Sequence, residues 1–394
     1  MAHNRWKIAL ICFDNPFLPP AEGGKRGMRT RIESLVRSDR YDIDVYLMNK
    51  PSEGMAQSFG GFENVVHSIQ QYVMQKSLKV LMPPYPICAN KRYAAECVRD
   101  LKNRRYDLAI YEGEQVAKYR LLGSVNAQHH ILYMHDIESA YRAEIAKSQS
   151  GLRRIANAME SRRFEYIEGR IDRCFDRIWY VSKEECDQFN RKFVDSSKGV
   201  YIPFPALQIA NSPVTGRKTP RMLYVGDLSI RHNYLSVEWF AREVLPTIRE
   251  KCPAAELMIV GRISDENAET LRCLKANVCG YVDDLDAAYN EAACIVAPVL
   301  FGAGVKVKTI DALARGQIVI TTAKGVEGTE LQGNRHLIVE DEPGRLADIC
   351  CKVLQKREDY VHLAEDGLRY IKQVHTIEHQ AEIIDREIEM LMGK

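Results

Sequence analysis

The sequence predicts an α/β protein of two doubly wound domains, each a parallel sheet covered by helices. Three observations predict it. Strand-like apolar runs alternate with helix-like amphipathic runs along most of the 394 residues, and such alternation closes parallel sheets through helical crossovers. The alternation stops between Tyr201 and Arg221, a stretch with four prolines and little periodicity, which is the composition of a connection between separately cored halves. It resumes at Met222, and within it Ala293 to Thr322 reads as apolar run, glycine loop, amphipathic run and apolar run.

Taken in order, "WKIALICF" is a strand, Gly27 to Val36 a helix, "IDVYLM" a strand and Ala94 to Asn103 a helix. "DLAIYEG", "HILYMHD" and "RIWYVS" follow as strands, short apolar runs rich in aromatic and β-branched residues. Leu152 to Arg177 is a helix interleaving arginines with Glu160, Glu165, Glu168 and Asp172. It reads either as a solvated face laced with ion pairs or as a face for anionic lipid or a lipid-linked acceptor. The domains are expected at 1–204 and 222–375, with 205–221 as linker and 376–394 as a final helix.

In the second half, Val296 to Val299 is a buried-strand pattern, and Gly302 and Gly304 let the chain turn tightly. Val307, Ile310 and Leu313 recur at helical spacing, Gly316 sits where a helix ends, and "IVITT" restarts a strand. A helix opening behind a glycine turn presents unpaired N–H groups and its positive dipole end. Lys306 and Lys308 add two charges there, so the natural occupant is an anion, most simply a diphosphate.

Composition bounds the function. Hydrophobic residues at 46% and charged residues at 27% are those of a globular protein, and a net charge of +2 argues against a nucleic-acid footprint. No apolar run approaches the ~20 residues of a membrane span, and Asp14 and Pro16 interrupt the N-terminal run too soon for a signal peptide, so a cytoplasmic location is expected. The 11 cysteines, without CxxC pairs, read as reduced thiols. "EGGKRG" lacks the first glycine and the hydroxyl residue of a Walker A loop, and "GAGVKV" has Val307 at the third glycine of a dinucleotide fingerprint. No metal-site pattern stands out, and a metal-independent reaction without a cofactor is expected.

The stretch from Ala293 to Thr322 resembles the donor-binding signature of GT-B glycosyltransferases, specifically the family-four-like retaining enzymes, glycosyl transferases group 1. "MLYVGDLSIRHNYLSVEWFAREVLPTIREKCPAAELMIVGR" and "NVCGYVDDLDAAYNEA" extend the resemblance over residues 222 to 340. "PFLPPAEGGKRGMRTRIESL", "ILYMHDIES" and "DRIWYVSKEECDQF" match more loosely. The resemblance implies two Rossmann-like domains facing a cleft, the donor on the second and the acceptor mainly on the first, with the last helix returning to the first.

It also implies site residues. Lys308 matches the family lysine at the donor diphosphate, and Arg231 stands where relatives place a basic or polar residue over the phosphates. Asn233 is either a donor contact or the N-cap of a helix from Tyr234 to Val244. Lys306 and Val305 belong to the same glycine loop. Asp311 occupies the second glutamate position, which holds the ribose hydroxyls; its alternative is a surface acid paired with Lys308. Gly261, Arg262, Tyr281 and Val282, with Gly280, are base contacts, largely through backbone. Gly23 and Gly24 either approach the donor or form a simple turn. His135 matches the histidine directed at the donor sugar, or closes its strand structurally.

The first glutamate of the common pattern would fall at Ala303, and its absence points to a subfamily. The implied function is transfer of a sugar from a nucleotide-sugar donor to a glycan or lipid-linked acceptor in polysaccharide or glycoconjugate biosynthesis, with peripheral membrane contact through the first domain. The alternatives are a nucleotide-sugar epimerase of the same fold and a non-catalytic sugar-nucleotide-binding subunit.

Overall fold

The computed structural model describes residues 5–17, 23–48, 65–147, 149–192, 198–215, 219–302 and 304–393. They divide into two compact units, Met1–Phe204 with Ile377–Lys394, and Pro205–Thr376. Ala303, where the first glutamate would fall, lies outside the described residues.

Unit 1 carries strands β1 (Trp6–Cys12), β2 (Tyr41–Leu47), β3 (Val66–Gln71), β4 (Tyr106–Glu112), β5 (Ala127–Met134), β6 (Arg177–Tyr180) and β7 (Gly199–Tyr201). They form one parallel sheet ordered β3-β2-β1-β4-β5-β6-β7. The inner strands are buried without interruption, as Ile8 to Cys12 and Ile131 to Met134 are, because helices cover both faces of a parallel sheet. β3 and β7 are additions to the sequence reading: "VHSIQQ" is mostly polar and β7 has 3 residues, so neither carries a strand-length apolar signal.

The first helix spans Gly23–Val36, four residues earlier than expected. Gly23 and Gly24 therefore open a helix and do not form a free turn. A helix tolerates glycine best in its first turn, where the N–H groups lack intrahelical partners anyway. The last helix, Ile377–Met392, lies on unit 1. Gln380 Nε2 donates to Pro203 O at 2.9 Å while Ser34 Oγ donates to Gln380 Oε1 at 2.9 Å. Tyr41 and Arg177 bond Asp385 and Glu387 further along.

Unit 2 repeats the plan with β8 (Arg221–Val225), β9 (Glu256–Val260), β10 (Asn277–Gly280), β11 (Cys294–Ala297), β12 (Val319–Thr321) and β13 (Ile338–Val339). The order is β10-β9-β8-β11-β12-β13, again parallel. The segment read as a linker is bonded along this unit: Ala206 N to His375 O, Ala210 N to Ala314 O and Val214 N to Gly316 O, each 2.8 Å. The helix expected over Tyr234 to Val244 starts at Arg231, passes through a π turn at Phe240–Val244 and continues as Leu245–Lys251. Pro246 accounts for the irregularity, since it has no N–H to give the preceding turn and its ring displaces that carbonyl. Among the described residues no helix is long and apolar enough to cross a membrane. All 11 cysteines are free thiols.

The approach of two loops holds the site end of unit 2. Gly261, at φ +137°, packs so closely that a Cβ there would sit 1.9 Å from Gly226 O. Gly280, at φ +69°, has open space around its Cβ position. Gly261→Ala is expected to destabilise the protein by about 3 kcal/mol or more, adding a backbone clash to strain, while Gly280→Ala costs about 1–2 kcal/mol from conformation alone. Urea unfolding of both variants measures the difference, and equal losses would contradict the close approach.

Candidate active site

Both sheets reverse strand order beside their first strand, between β1 and β4 and between β8 and β11. Loops leaving the C-terminal ends of those strands diverge there and open a crevice, the usual ligand position in such sheets. Of the residues singled out from the sequence, Arg231 and Asn233 follow β8 and Lys306 and Lys308 follow β11, while His135 follows β5, Gly261 and Arg262 follow β9, and Tyr281 and Val282 follow β10.

In unit 2, β8 ends at Val225 and its loop is set by Asp227, whose Oδ1 accepts from Ser229 N at 2.9 Å. Arg231 is the exposed first residue of the next helix. Asn233 lies inside that helix and caps nothing. Its Nδ2 donates to Asp227 O at 2.9 Å, and its Oδ1 accepts from Lys308 Nζ at 2.7 Å. Lys308 also donates to the buried Tyr224 hydroxyl at 3.0 Å and stands 5.1 Å from the Tyr224 ring centroid. Burial, and then the charge of Lys306, push its ammonium down to about 8. An ammonium makes three hydrogen bonds, and these protein groups take two of them.

The glycine loop between β11 and the helix Val307–Ala314 is clamped from both sides. Thr322 Oγ1 accepts from Val299 N at 3.2 Å, and Ser236 Oγ accepts from Leu300 N at 3.2 Å. Gly302 and Gly304 take φ of +98° and +73°. Lys306 Nζ turns back onto their carbonyls at 3.0 and 2.5 Å, so it ties the loop. Val305 and Asp311 are half-buried, Asp311 one helical turn beyond Lys308. Arg262 is exposed, with Nη1 3.8 Å from Asp227 Oδ2. Tyr281, 90% exposed, and Val282 follow β10, the outermost strand on that side. Direct bonds thus join Lys308 and Asn233, and join Lys306 to the loop glycines, while Tyr281 and Val282 sit further out along the sheet edge.

In unit 1, His135 follows β5 and its Nε2 lies 3.1 Å from Glu112 Oε2. Glu112 is the last residue of β4 and fully buried. Arg31, also fully buried, clamps it in fork geometry, Nε to Oε1 at 2.5 Å and Nη2 to Oε2 at 2.9 Å, and stacks 3.2 Å over the Tyr133 ring. Burial alone would raise the Glu112 carboxyl; the Arg31 charge and the bonds from His135 and Arg31 outweigh it and hold it below its ordinary value. Burial lowers His135, with Glu112 opposing only in part. The trio therefore stands as guanidinium, carboxylate and neutral imidazole, with Nε2–H donating to Glu112. Phe13 packs edge-on against the His135 ring at 5.5 Å.

Sequence reasoning missed Glu112, Arg31 and Tyr224. Glu112 had a signal, a carboxylate ending the apolar run "DLAIYEG". Arg31 and Tyr224 had none, being an arginine in a basic helix and a tyrosine in an apolar strand. Among the described residues no group of three or more His, Cys, Asp or Glu is arranged to hold a metal ion.

Residues 219–356, within unit 2, match the family model of glycosyl transferases group 1. The chain is 24% identical over 352 residues to an uncharacterized 44.6 kDa protein in the cps region of Klebsiella pneumoniae, covering 85% of this chain and 88% of that one. Its fold is similar to that of sucrose-phosphate synthase from Thermosynechococcus elongatus, with TM-score 0.71, 17% identity, and coverage of 99% and 100%. It is similar also to WaaG, a glycosyltransferase involved in lipopolysaccharide biosynthesis, with TM-score 0.63, 16% identity, and coverage of 96% and 99%. A third similar structure is HepE of Anabaena in complex with UDP-glucose, with TM-score 0.61, 14% identity, and coverage of 98% and 100%. The fold is therefore GT-B, and family match and fold together indicate a glycosyltransferase.

Two stability measurements check the site. Glu112→Ala leaves the Arg31 guanidinium buried without its counter-charge and is expected to cost about 3–5 kcal/mol, with Glu112→Gln costing less; wild-type denaturation midpoints in both would contradict the clamp. Lys308 holds its proton less firmly folded, near 8, than at its ordinary 10.5. Between those values the unfolded chain binds more protons, so this lysine makes stability rise with pH. The wild type is expected to gain on Lys308→Met as pH rises from 8 to 10, and a constant difference would show that the ammonium is not perturbed.

Proposed function

We propose that this chain, whose residues 219–356 match glycosyl transferases group 1, transfers a sugar from a nucleotide-sugar donor to a glycan or lipid-linked acceptor, with retention of configuration and without a metal. The observation that carries the reading is the Lys308 ammonium, half-buried at the switch point of unit 2 and bonded only to the neutral Tyr224 and Asn233 among the described residues. A cation drawn out of water without a carboxylate is costly, and its lowered pKa records that cost. Such a site is at rest when an anion supplies the missing charge.

In this reading the bond between the sugar's anomeric carbon and the diphosphate oxygen breaks, and Lys308 meets the charge growing on that oxygen. Arg231, exposed at the start of its helix, reaches the outer phosphate, and the helix Val307–Ala314 adds its N–H groups. Asp311 accepts from the ribose hydroxyls, with Gly261, Arg262, Tyr281 and Val282 beside the base. In unit 1, the resemblance assigns His135, oriented by Glu112, to the donor sugar. The reaction's setting is polysaccharide synthesis, which the relative in the cps region and WaaG, a glycosyltransferase involved in lipopolysaccharide biosynthesis, support; peripheral contact with the inner membrane face belongs to the same proposal.

Calorimetric titration of nucleoside diphosphates tests the core of the reading. Affinity should be highest below pH 8 and fall as pH rises above it, approaching tenfold per unit once the empty-site ammonium deprotonates. Lys308→Met should bind weakly at every pH and lower turnover roughly 10²-fold, and wild-type activity should survive EDTA. Full affinity in Lys308→Met would remove the diphosphate assignment, and loss of activity restored by magnesium would remove the metal-independent one.

A further inference from the structure

The helix Gly151–Cys174 has 24 residues, and its buried ones are Ser161, Phe164, Ile167 and Ile171. Its first ten residues bury none and extend about 15 Å at 1.5 Å per residue. They nevertheless carry Leu152, Ile155 and Met159, three and four apart on one face and exposed by 84%, 56% and 53%. The same face continues to Arg163, whose Nη2 donates to Leu81 O at 2.8 Å, and to Tyr166, whose ring meets Tyr85 at 5.5 Å. It thereby runs on to the short helical turn Leu78–Leu81, where Leu78, Leu81 and Met82 are exposed by 83%, 50% and 62%. Half of the twelve exposed large hydrophobics among the described residues therefore belong to one surface, far more than scattered apolar exposure supplies.

Charge identifies the occupant. Lys76, Lys79, Arg153, Arg154 and Arg162 are all exposed around these side chains. Glu160, the single carboxylate in residues 76–82 and 151–160, is taken up by Arg163 and by Ile87 N. Apolar side chains ringed by cations match an anionic lipid surface, which takes the former into its interface and the latter against its headgroups. A second copy of this chain related by two-fold symmetry would set this ring of cations against its own like.

We propose that this face of unit 1, from Leu78 to Met82 and along Leu152, Ile155 and Met159, docks the protein onto anionic membrane. It deepens the membrane-side setting proposed above, and its test is independent of the donor site. Sedimentation of the full chain with vesicles of equimolar phosphatidylcholine and phosphatidylglycerol is expected to show binding at least about tenfold stronger than to phosphatidylcholine alone, weakening as salt rises. Replacing Leu152, Ile155 and Met159 together by Ser, or Arg153 and Arg154 by Glu, should lower that binding about tenfold or more. Thermal midpoint and nucleoside diphosphate affinity should remain those of the wild type, because these side chains are solvent-exposed and lie on unit 1. Absence of vesicle binding, equal binding to neutral vesicles, or unchanged binding in both variants would overturn the proposal. So would a dimer in light scattering that the substitutions dissolve, since a second copy would then be the occupant.

Discussion

A parallel sheet delivers all its strands to one edge, and where the strand order reverses, neighbouring loops must part. In both units the reversal falls beside the first strand, and most residues of the candidate site gather near it. Glu112 ends β4, His135 follows β5, Asn233 follows the loop after β8, and Lys308 follows the loop after β11. Hydrophobic burial of the central strands fixes where these ends stand. Positions separated widely in sequence, such as Tyr224 and Lys308 or Arg31 and Glu112, come within 3.0 Å as a consequence.

The two units resolve their buried charges in opposite ways. In unit 1 the Arg31 guanidinium meets Glu112 through two hydrogen bonds and stacks on the Tyr133 ring, with its Nη1 left without a hydrogen-bond partner among the described residues, and this charge-balanced pair gives His135 a fixed partner and a fixed tautomer. At separations near 4 Å and an effective dielectric of about 20, such a pair is worth about 4 kcal/mol of Coulomb energy, enough to keep Glu112 ionised against its burial. In unit 2 Lys308 has only neutral acceptors among the described residues, and its ammonium is held less firmly. The first arrangement is balanced in charge, whereas the second carries its positive charge on neutral acceptors.

The glycine loop shows how that charge is kept in position. Its backbone is held by hydroxyls from either side, Thr322 and Ser236, and its own Lys306 folds onto the carbonyls of Gly302 and Gly304. A loop fixed in this way needs little ordering when a ligand arrives, which is the physical content of preorganisation. Lys306 reads from the sequence as a second phosphate cation. In the structure it also serves as the loop's tie, and its charge helps lower Lys308.

Much of the fold was legible in the sequence. Buried parallel strands write themselves as unbroken apolar runs, as "WKIALICF" and "HILYM" do, and glycines mark the turns that need them. Edge strands such as β3 and β7 carry no such run, and the early starts of the helices at Gly23 and Arg231 lie in polar sequence where terminal turns leave no periodic trace. The residue types at the donor loop were legible for the same local reason: a lysine one turn behind a glycine loop is a statement about neighbours in sequence. What only the tertiary structure decided is which distant groups answer them. Asn233 is a partner of Lys308 and not a helix cap, and Glu112 is the partner of both Arg31 and His135. Each depends on three-dimensional packing between elements far apart in the chain, and a single sequence records side-chain identity without recording its neighbours across space.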